Sequence, residues 1–168
     1  GPLIELIEGS SRYIACARVT KRPIFAFVSS TVRPNDALAV FPLADDYSFG
    51  ILQSSLHWEW FKARCSTMKG DWRYTSNSVF DTFAWPQSPT AADAVAVASA
   101  ASELRRMRAS LQVRHGLSLR DLYRALDVPG KHPLRDAQSS LDQAVDRAYG
   151  RPSGSDPLGF LLELNAAL

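Results

Sequence analysis

A chain of 168 residues, 46% hydrophobic and 21% charged, has an ordinary globular composition and can bury roughly 70% of its unfolded surface, in one sizeable core or two small ones. Its net charge of +2 decides nothing alone, and no window of about 18 uncharged apolar residues is present to make a membrane span. Two cysteines, Cys16 and Cys65, are too few for a disulfide framework, and no charged-then-apolar leader opens the chain, so the expectation is a reduced thiol pair in a cytoplasmic protein.

Strand signals dominate the first half. Residues 12–20 (RYIACARVT) are rich in β-branched and aromatic side chains with partial alternation. Residues 23–30 (PIFAFVSS) form a second apolar run, and the short Lys21-Arg22 connection before it predicts a hairpin. A third strand is expected over 37–41, after the turn residues Pro34, Asn35 and Asp36. Asp45 or Asp46 then suits the N-cap of a single helix reaching about Ala63. Phe49, Leu52, Leu56, Trp60 and Ala63 recur on one face of that helix. Gly70-Asp71 reads as a turn, 72–75 and 79–85 as short strands, and 85–89 (WPQSP) as a linker.

Beyond Thr90 the pattern is helical. Thr90 can cap an alanine-rich helix to about Arg114, with Gly116 past its end. Ser118 can cap a second helix that stops at Pro129-Gly130. A third is expected over 134–149 with Gly150 as its stop, and a fourth over 157–168. The expected class is α+β: a small, mostly antiparallel sheet with a packed helix over 1–86, then a helical C-terminal domain over 87–168.

Much familiar chemistry is missing. His57, His115 and His132 lack metal-ligand spacing to each other or to the cysteines. No G-x-x-x-x-G-K-[ST] or G-x-G-x-x-G loop occurs. Asp156-Pro157-Leu158-Gly159 reads as a helix cap rather than a catalytic D/N-P-P-Y/F loop, since the second proline and the aromatic are absent. Cations cluster instead. Arg12, Arg18, Lys21, Arg22 and Arg33 occur without an acid, Lys62, Arg64, Lys69 and Arg73 surround one aspartate, and six arginines lie between 105 and 124. Basic stretches of this kind can form a polyanion-binding face or can be solvated surface.

Several segments, in order, resemble the target-recognition region of single-chain DNA methyltransferases of the MmeI-like (type IIL) restriction-modification family. They are Arg12-Tyr13-Ile14, Pro23-Ile24-Phe25, Asp45-Asp46-Tyr47 followed by Gly50, Leu52, Ser54, His57 and Trp60, then Arg73-Tyr74-Thr75 and Phe80-Asp81-Thr82-Phe83. The resemblance continues through LDQAVDRAYG at 141–150 and LLELN at 161–165. Two departures stand out: Ala84 occupies a usual proline position, and Arg151 that of the tryptophan after Ala-Tyr-Gly.

The resemblance implies double-stranded DNA as partner. It also implies a missing methyltransferase domain of the same parent chain, acting on adenine N6 with S-adenosylmethionine, a domain that in this family is often preceded by a nuclease. The cofactor motif of that domain is not found here, so this stretch is expected to hold no cofactor or metal itself and to be non-catalytic. Alternatives are a helix-turn-helix-like regulator built on 118–149, and a protein-interaction module docking an acidic partner.

Base readout needs donors and acceptors that match base edges: Arg and Lys for guanine, Asn and Gln for adenine, Asp and Glu for cytosine. Residues 69–77 supply most of that alphabet, next to the R-Y-T segment where the family's specificity positions are expected. The base-reading candidates are therefore Lys69, Asp71, Arg73, Ser76 and Asn77. For these residues the competing reading is a structural Arg73–Asp71 ion pair and a turn at Asn77, and the family-wide R-Y-T pattern favours a structural Arg73. Phosphate contacts are expected from Arg18, Lys21, Arg22, Lys62 and Arg64. His57, beside two tryptophans in mid-helix, is expected as a satisfied core or interface histidine.

Overall fold

Strand β1 (Arg12–Ala17) runs between β2 (Ala26–Ser29) and β3 (Leu38–Phe41) in an antiparallel sheet of order β2-β1-β3. Ile14 pairs with Phe27 on one side and Phe41 on the other, and Cys16 with Ala39. The structure is a computed structural model describing residues 1–65 and 72–168. Ile14 and Cys16 enter the main core, whereas Tyr13 and Ala15 pack with Ile7 on the opposite face. Ile7 belongs to α1 (Pro2–Glu8), a seven-residue helix too short for its periodicity to be recognised. That helix explains the imperfect alternation of β1, whose two faces are both buried.

The single helix expected from Asp46 to about Ala63 is two helices, α2 (Asp46–Gln53) and α3 (Ser55–Cys65). Ser54 between them is extended, with φ −68° and ψ 156°. Asp45 caps α2 through the Ser48 amide at 2.8 Å. The start of α3 is capped from far away: Asp142 accepts the Ser55 amide at 2.8 Å and the Ser55 hydroxyl at 2.5 Å. A carboxylate at a helix N-terminus satisfies orphan amides and complements the helix dipole, so the break costs little.

The expected strands over 72–75 and 79–85 are also corrected. The first reduces to one antiparallel bridge between Val19 and Arg73. In place of the second, Ser76–Phe80 forms one π-helical turn. The Asp81 amide donates to the Ser76 carbonyl at 2.8 Å, an i→i+5 bond that extended backbone does not make, and Val79 within the turn and Phe83 beyond it are both buried. Arg64 Nε and the Thr82 hydroxyl both donate to the Ser78 carbonyl at 2.8 Å, and Trp60 Nε1 donates to the Thr82 hydroxyl at 3.1 Å. All four tryptophans pack in or against the core.

The remaining helices follow their local signals closely. Helix α4 (Ala91–His115) opens on a reciprocal Thr90–Asp93 capping box and ends at Gly116, with φ +62°. Helix α5 (Leu119–Arg124) is capped by Ser118 and runs into a short 3-10 turn, Ala125–Asp127. Helix α6 (Pro133–Tyr149) ends at Gly150, and α7 (Pro157–Ala166) is capped by Asp156, which accepts the Gly159 amide at 2.7 Å.

Helix α4 packs on both α2 and α6, and α7 packs on α3. Gly50 permits the first contact, since a Cβ there would lie 2.7 Å from Val97 Cγ1 and 3.1 Å from Ala101 Cβ. One apolar cluster therefore contains Ile14, Phe25 and Phe41 of the sheet region together with Val97, Leu104 and Leu141 of the helices.

The two family departures have local consequences. Arg151 makes a bidentate pair with Asp146 at 2.8 and 3.0 Å, and the carbonyl of buried Ala84 accepts the Tyr149 hydroxyl at 2.7 Å.

Candidate nucleic-acid interface

The main chain of Arg18, just past β1, joins two loops. Its amide donates to the Ala37 carbonyl at 2.8 Å, and its carbonyl accepts the Tyr74 amide at 2.7 Å. Thr20 adds a bond to the Trp72 carbonyl at 3.0 Å. The 34–37 loop thus lies on one side of Arg18 and the 72–77 segment on the other. Between them opens a cleft of about 500 Å³ whose lining includes Arg18, Asn35, Asp36, Ser76, Asn77 and Asp81.

Tyr74 anchors the second wall. It is 1% exposed, and its ring stacks on Phe61 and meets Phe25 and Phe41 edge-on. Its hydroxyl lies 2.6 Å from His57 Nε2. Burial pushes the Tyr74 pKa well up and the His57 pKa down to about 3, so both are neutral structural groups. Alternation beside a buried Tyr74 turns Arg73 outward. It is exposed, its carbonyl accepts the Cys65 thiol at 3.4 Å, and its guanidinium pairs with no described carboxylate. Ser76 and Asn77 follow on the π-helical turn, exposed and with no side-chain bond to a described residue. The Thr75 and Ser78 hydroxyls are hydrogen-bonded to each other and steady that turn.

Of the five base-reading candidates, Ser76 and Asn77 line this cleft and Arg73 stands beside it, while Lys69 and Asp71 lie outside the described residues. Asn35, Asp36 and Asp81 join the same cleft and were not singled out as readers in the sequence. Pro34-Asn35-Asp36 was legible only as a turn. A further signal was present: two polar residues before β3, the neighbour of the strand that leads into Arg18.

The five backbone-contact candidates separate. Arg18 lines the cleft and donates to the Leu38 carbonyl at 3.1 Å. Arg64 sits at the outer edge of the π-helical turn, over the Trp60 ring at 5.8 Å. The other three surround Trp58, whose indole nitrogen donates to the Lys21 carbonyl at 3.1 Å. Arg22 lies 4.4 Å from the Trp58 ring and Lys62 4.3 Å, with Lys62 paired to Glu59 at 2.8 Å. Arg22 also reaches the Tyr123 ring at 5.0 Å, and burial lowers its pKa. It faces a second crevice of about 410 Å³ that holds Asp127, Asp142 and Asp146. Lys21 is the exposed cation of the three.

The hairpin carrying these cations is held from below. Gln53 accepts the Phe25 amide at 2.8 Å and donates to the Pro23 carbonyl at 3.2 Å. Arg108, only 5% exposed, donates to the Phe25 carbonyl at 2.8 Å. The arginines near the start of the helical half are largely engaged: Arg105 binds Asp46 at 3.0 Å beside the Phe27 ring, and Arg106 binds Glu103.

Among the described residues no cluster of three or more His, Cys, Asp or Glu could hold a metal, and no helix is long and apolar enough to cross a membrane. A sheet-and-helix platform that presents exposed hydrogen-bonding side chains around a cleft has the form of a recognition module.

The particular family follows from comparison with known proteins. Residues 18–87 match the family model of the MmeI target recognition domain. It is 32% identical over 124 residues to DNA methyltransferase A of Bacillus subtilis (strain 168), an alignment covering 72% of this chain and 13% of that protein. The fold matches the type IIL restriction-modification enzyme MmeI, solved in complex with DNA, with a TM-score of 0.81 and 25% identity. That match covers 94% of this chain and 21% of the MmeI chain, so the chain spans a small part of either relative.

Proposed function

We propose that this chain reads the base sequence of double-stranded DNA for a larger, S-adenosylmethionine-dependent DNA methyltransferase of a restriction-modification system. The modified atom in this reading is adenine N6, and the target-recognition and helical parts form the C-terminal portion of the parent. The observation that carries the reading is the single cleft in which Arg18 gathers the 34–37 loop and the Ser76-Asn77 turn. Donors and acceptors from two chain segments converge there on a rigid frame, as readout in the major groove requires.

The DNA-binding half of the reading is supported by the family-model match and by the chain's likeness to an enzyme solved with DNA. Exposed Lys21 beside Trp58 and exposed Arg64 at the π-helical turn supply phosphate contacts, while Asn35, Asp36, Ser76, Asn77 and the 69–71 segment contact base edges. The methyl-transfer half belongs to the rest of the parent.

The test is selection from a randomised duplex pool, with anisotropy at two salt concentrations and sequencing of the bound fraction. A short enriched motif with salt-sensitive affinity is the expected result. Absence of binding at low salt would overturn the reading.

A further inference from the structure

Behind the cleft, where the segment leading into β2 meets the α2–α3 break and α6, lies a cavity of about 10 Å³. Its lining includes Pro23, Gln53, Ser54, His57 and Gln138. That is roughly the space of one water centre. Two side-chain atoms of this lining are buried and have no hydrogen-bond partner among the described residues: His57 Nδ1 and Gln138 Oε1. Their residues are 0% and 7% exposed. A buried polar atom left unsatisfied costs roughly 1–3 kcal/mol, and native proteins avoid most such costs.

The donor and acceptor roles follow from the neighbours. Gln138 Nε2 points at two acceptors, the Gln53 carbonyl and Asp142 Oδ1, both at 3.1 Å. Its Oε1 is therefore the acceptor facing the cavity. The Tyr74 hydroxyl has no described partner other than His57 Nε2, at 2.6 Å, so its proton goes to that nitrogen. A neutral ring that accepts at Nε2 carries its proton on Nδ1. A donor and an acceptor thus border a space for one water.

We propose that one buried water accepts from His57 Nδ1–H and donates to Gln138 Oε1, and that this bridge makes Gln138 a positioning residue for Tyr74 and the Thr75–Asn77 wall of the cleft. The polar chain then runs from Asp142 through Gln138, the water and His57 to Tyr74, and so links α6 to the reading segment. The water bridge stands on geometry alone. The positioning role rests on the DNA-reading function proposed above.

The test has two arms. A crystal structure of the chain, at a resolution that shows ordered water, is combined with nitrogen-15 spectra of the His57 ring. One water within hydrogen-bond distance of both atoms and a proton on Nδ1 are expected. A dry cavity overturns the bridge, and a ring protonated on Nε2 overturns its donor and acceptor order. The second arm repeats the duplex selection with Gln138→Met, which keeps length and removes Oε1, and with Tyr74→Phe, which cuts the chain nearer the cleft. Both are expected to lose discrimination by roughly 2- to 30-fold at the bases read by residues 75–77, with an unchanged salt slope. Wild-type discrimination in a folded Gln138→Met or Tyr74→Phe variant would overturn the positioning role. If the wild-type chain itself enriches no motif, the DNA reading fails and the positioning role with it, while the first arm still decides the water.

Discussion

Ser55 donates both its amide and its hydroxyl to Asp142, a residue 87 positions later in the chain. One carboxylate on α6 thus starts α3, the helix that carries His57, Trp58 and Trp60. The pair ties the helical half to the segment behind the reading cleft. Asp142→Ala leaves a partly buried helix-start amide without its acceptor. The expected loss is about 1–3 kcal/mol, read as a lower urea midpoint with an unchanged slope. Asp142→Asn keeps one acceptor oxygen and is expected to lose less.

His57 makes stability depend on pH. Its folded pKa is depressed to about 3 from an ordinary 6.5 because burial disfavours the charged ring. The unfolded state therefore binds the proton first. The stabilisation is fully present above pH 6.5 and is lost as pH falls from there towards about 3, by up to about 1.4 kcal/mol per pH unit. Urea titrations between pH 7.5 and 4.5 check this. His57→Gln is expected to flatten that part of the pH profile, and an unchanged slope would show that other groups carry it.

Gly50 is set by close approach and not by turn geometry. A methyl group there would meet Val97, Ala101 and Leu141 at 2.7, 3.1 and 3.2 Å. Gly50→Ala is expected to push α2 from α4 and α6 and to cost about 1–3 kcal/mol, despite alanine's better helix propensity. Gly116→Ala is strained for another reason, its φ of +62°, and meets no neighbouring atom. Thermal melts of the two variants separate packing strain from backbone strain.

Base contacts and phosphate contacts are expected to fail differently. Asn77→Ala and Asp36→Ala are each predicted to change preference at one base position by about 1–3 kcal/mol, and the same is predicted for Lys69 and Asp71 substitutions. Lys21→Ala is predicted to weaken all sequences alike and to lower the salt slope by about one. Competition binding against a panel of single-base variants of the enriched duplex reads both effects. A Lys21 variant with altered base preference would reverse its assignment.

Much of the fold was legible because its signals are local. Thr90 with Asp93, Ser118, Asp156 and the glycines Gly116 and Gly150 mark helix ends through contacts within one turn. The three strands were legible from their β-branched and aromatic content. The π-helical turn Ser76–Phe80 was not. Its apolar residues Val79 and Phe80, with Phe83 just beyond, fit a strand about as well as a helix over so short a run. The site was half legible: Ser76 and Asn77 from their residue types beside the R-Y-T segment, Asn35 and Asp36 only once the backbone of Arg18 had joined their loop to it.

By itself, then, the sequence determined the first three strands, the helices after Thr90 with their caps, and the resemblance to the recognition family, because each rests on neighbours within a few residues or on motifs kept in order. Tertiary structure alone decided that α2 and α3 separate at Ser54, that Arg22 leans on Trp58 and Tyr123 beside an acidic crevice, and that two distant loops share one cleft. The reason is physical. A buried amide, hydroxyl or guanidinium must find a partner wherever the packed chain brings one, and Asp142, Tyr74 and the Phe25 carbonyl lie far along the chain from Ser55, His57 and Arg108.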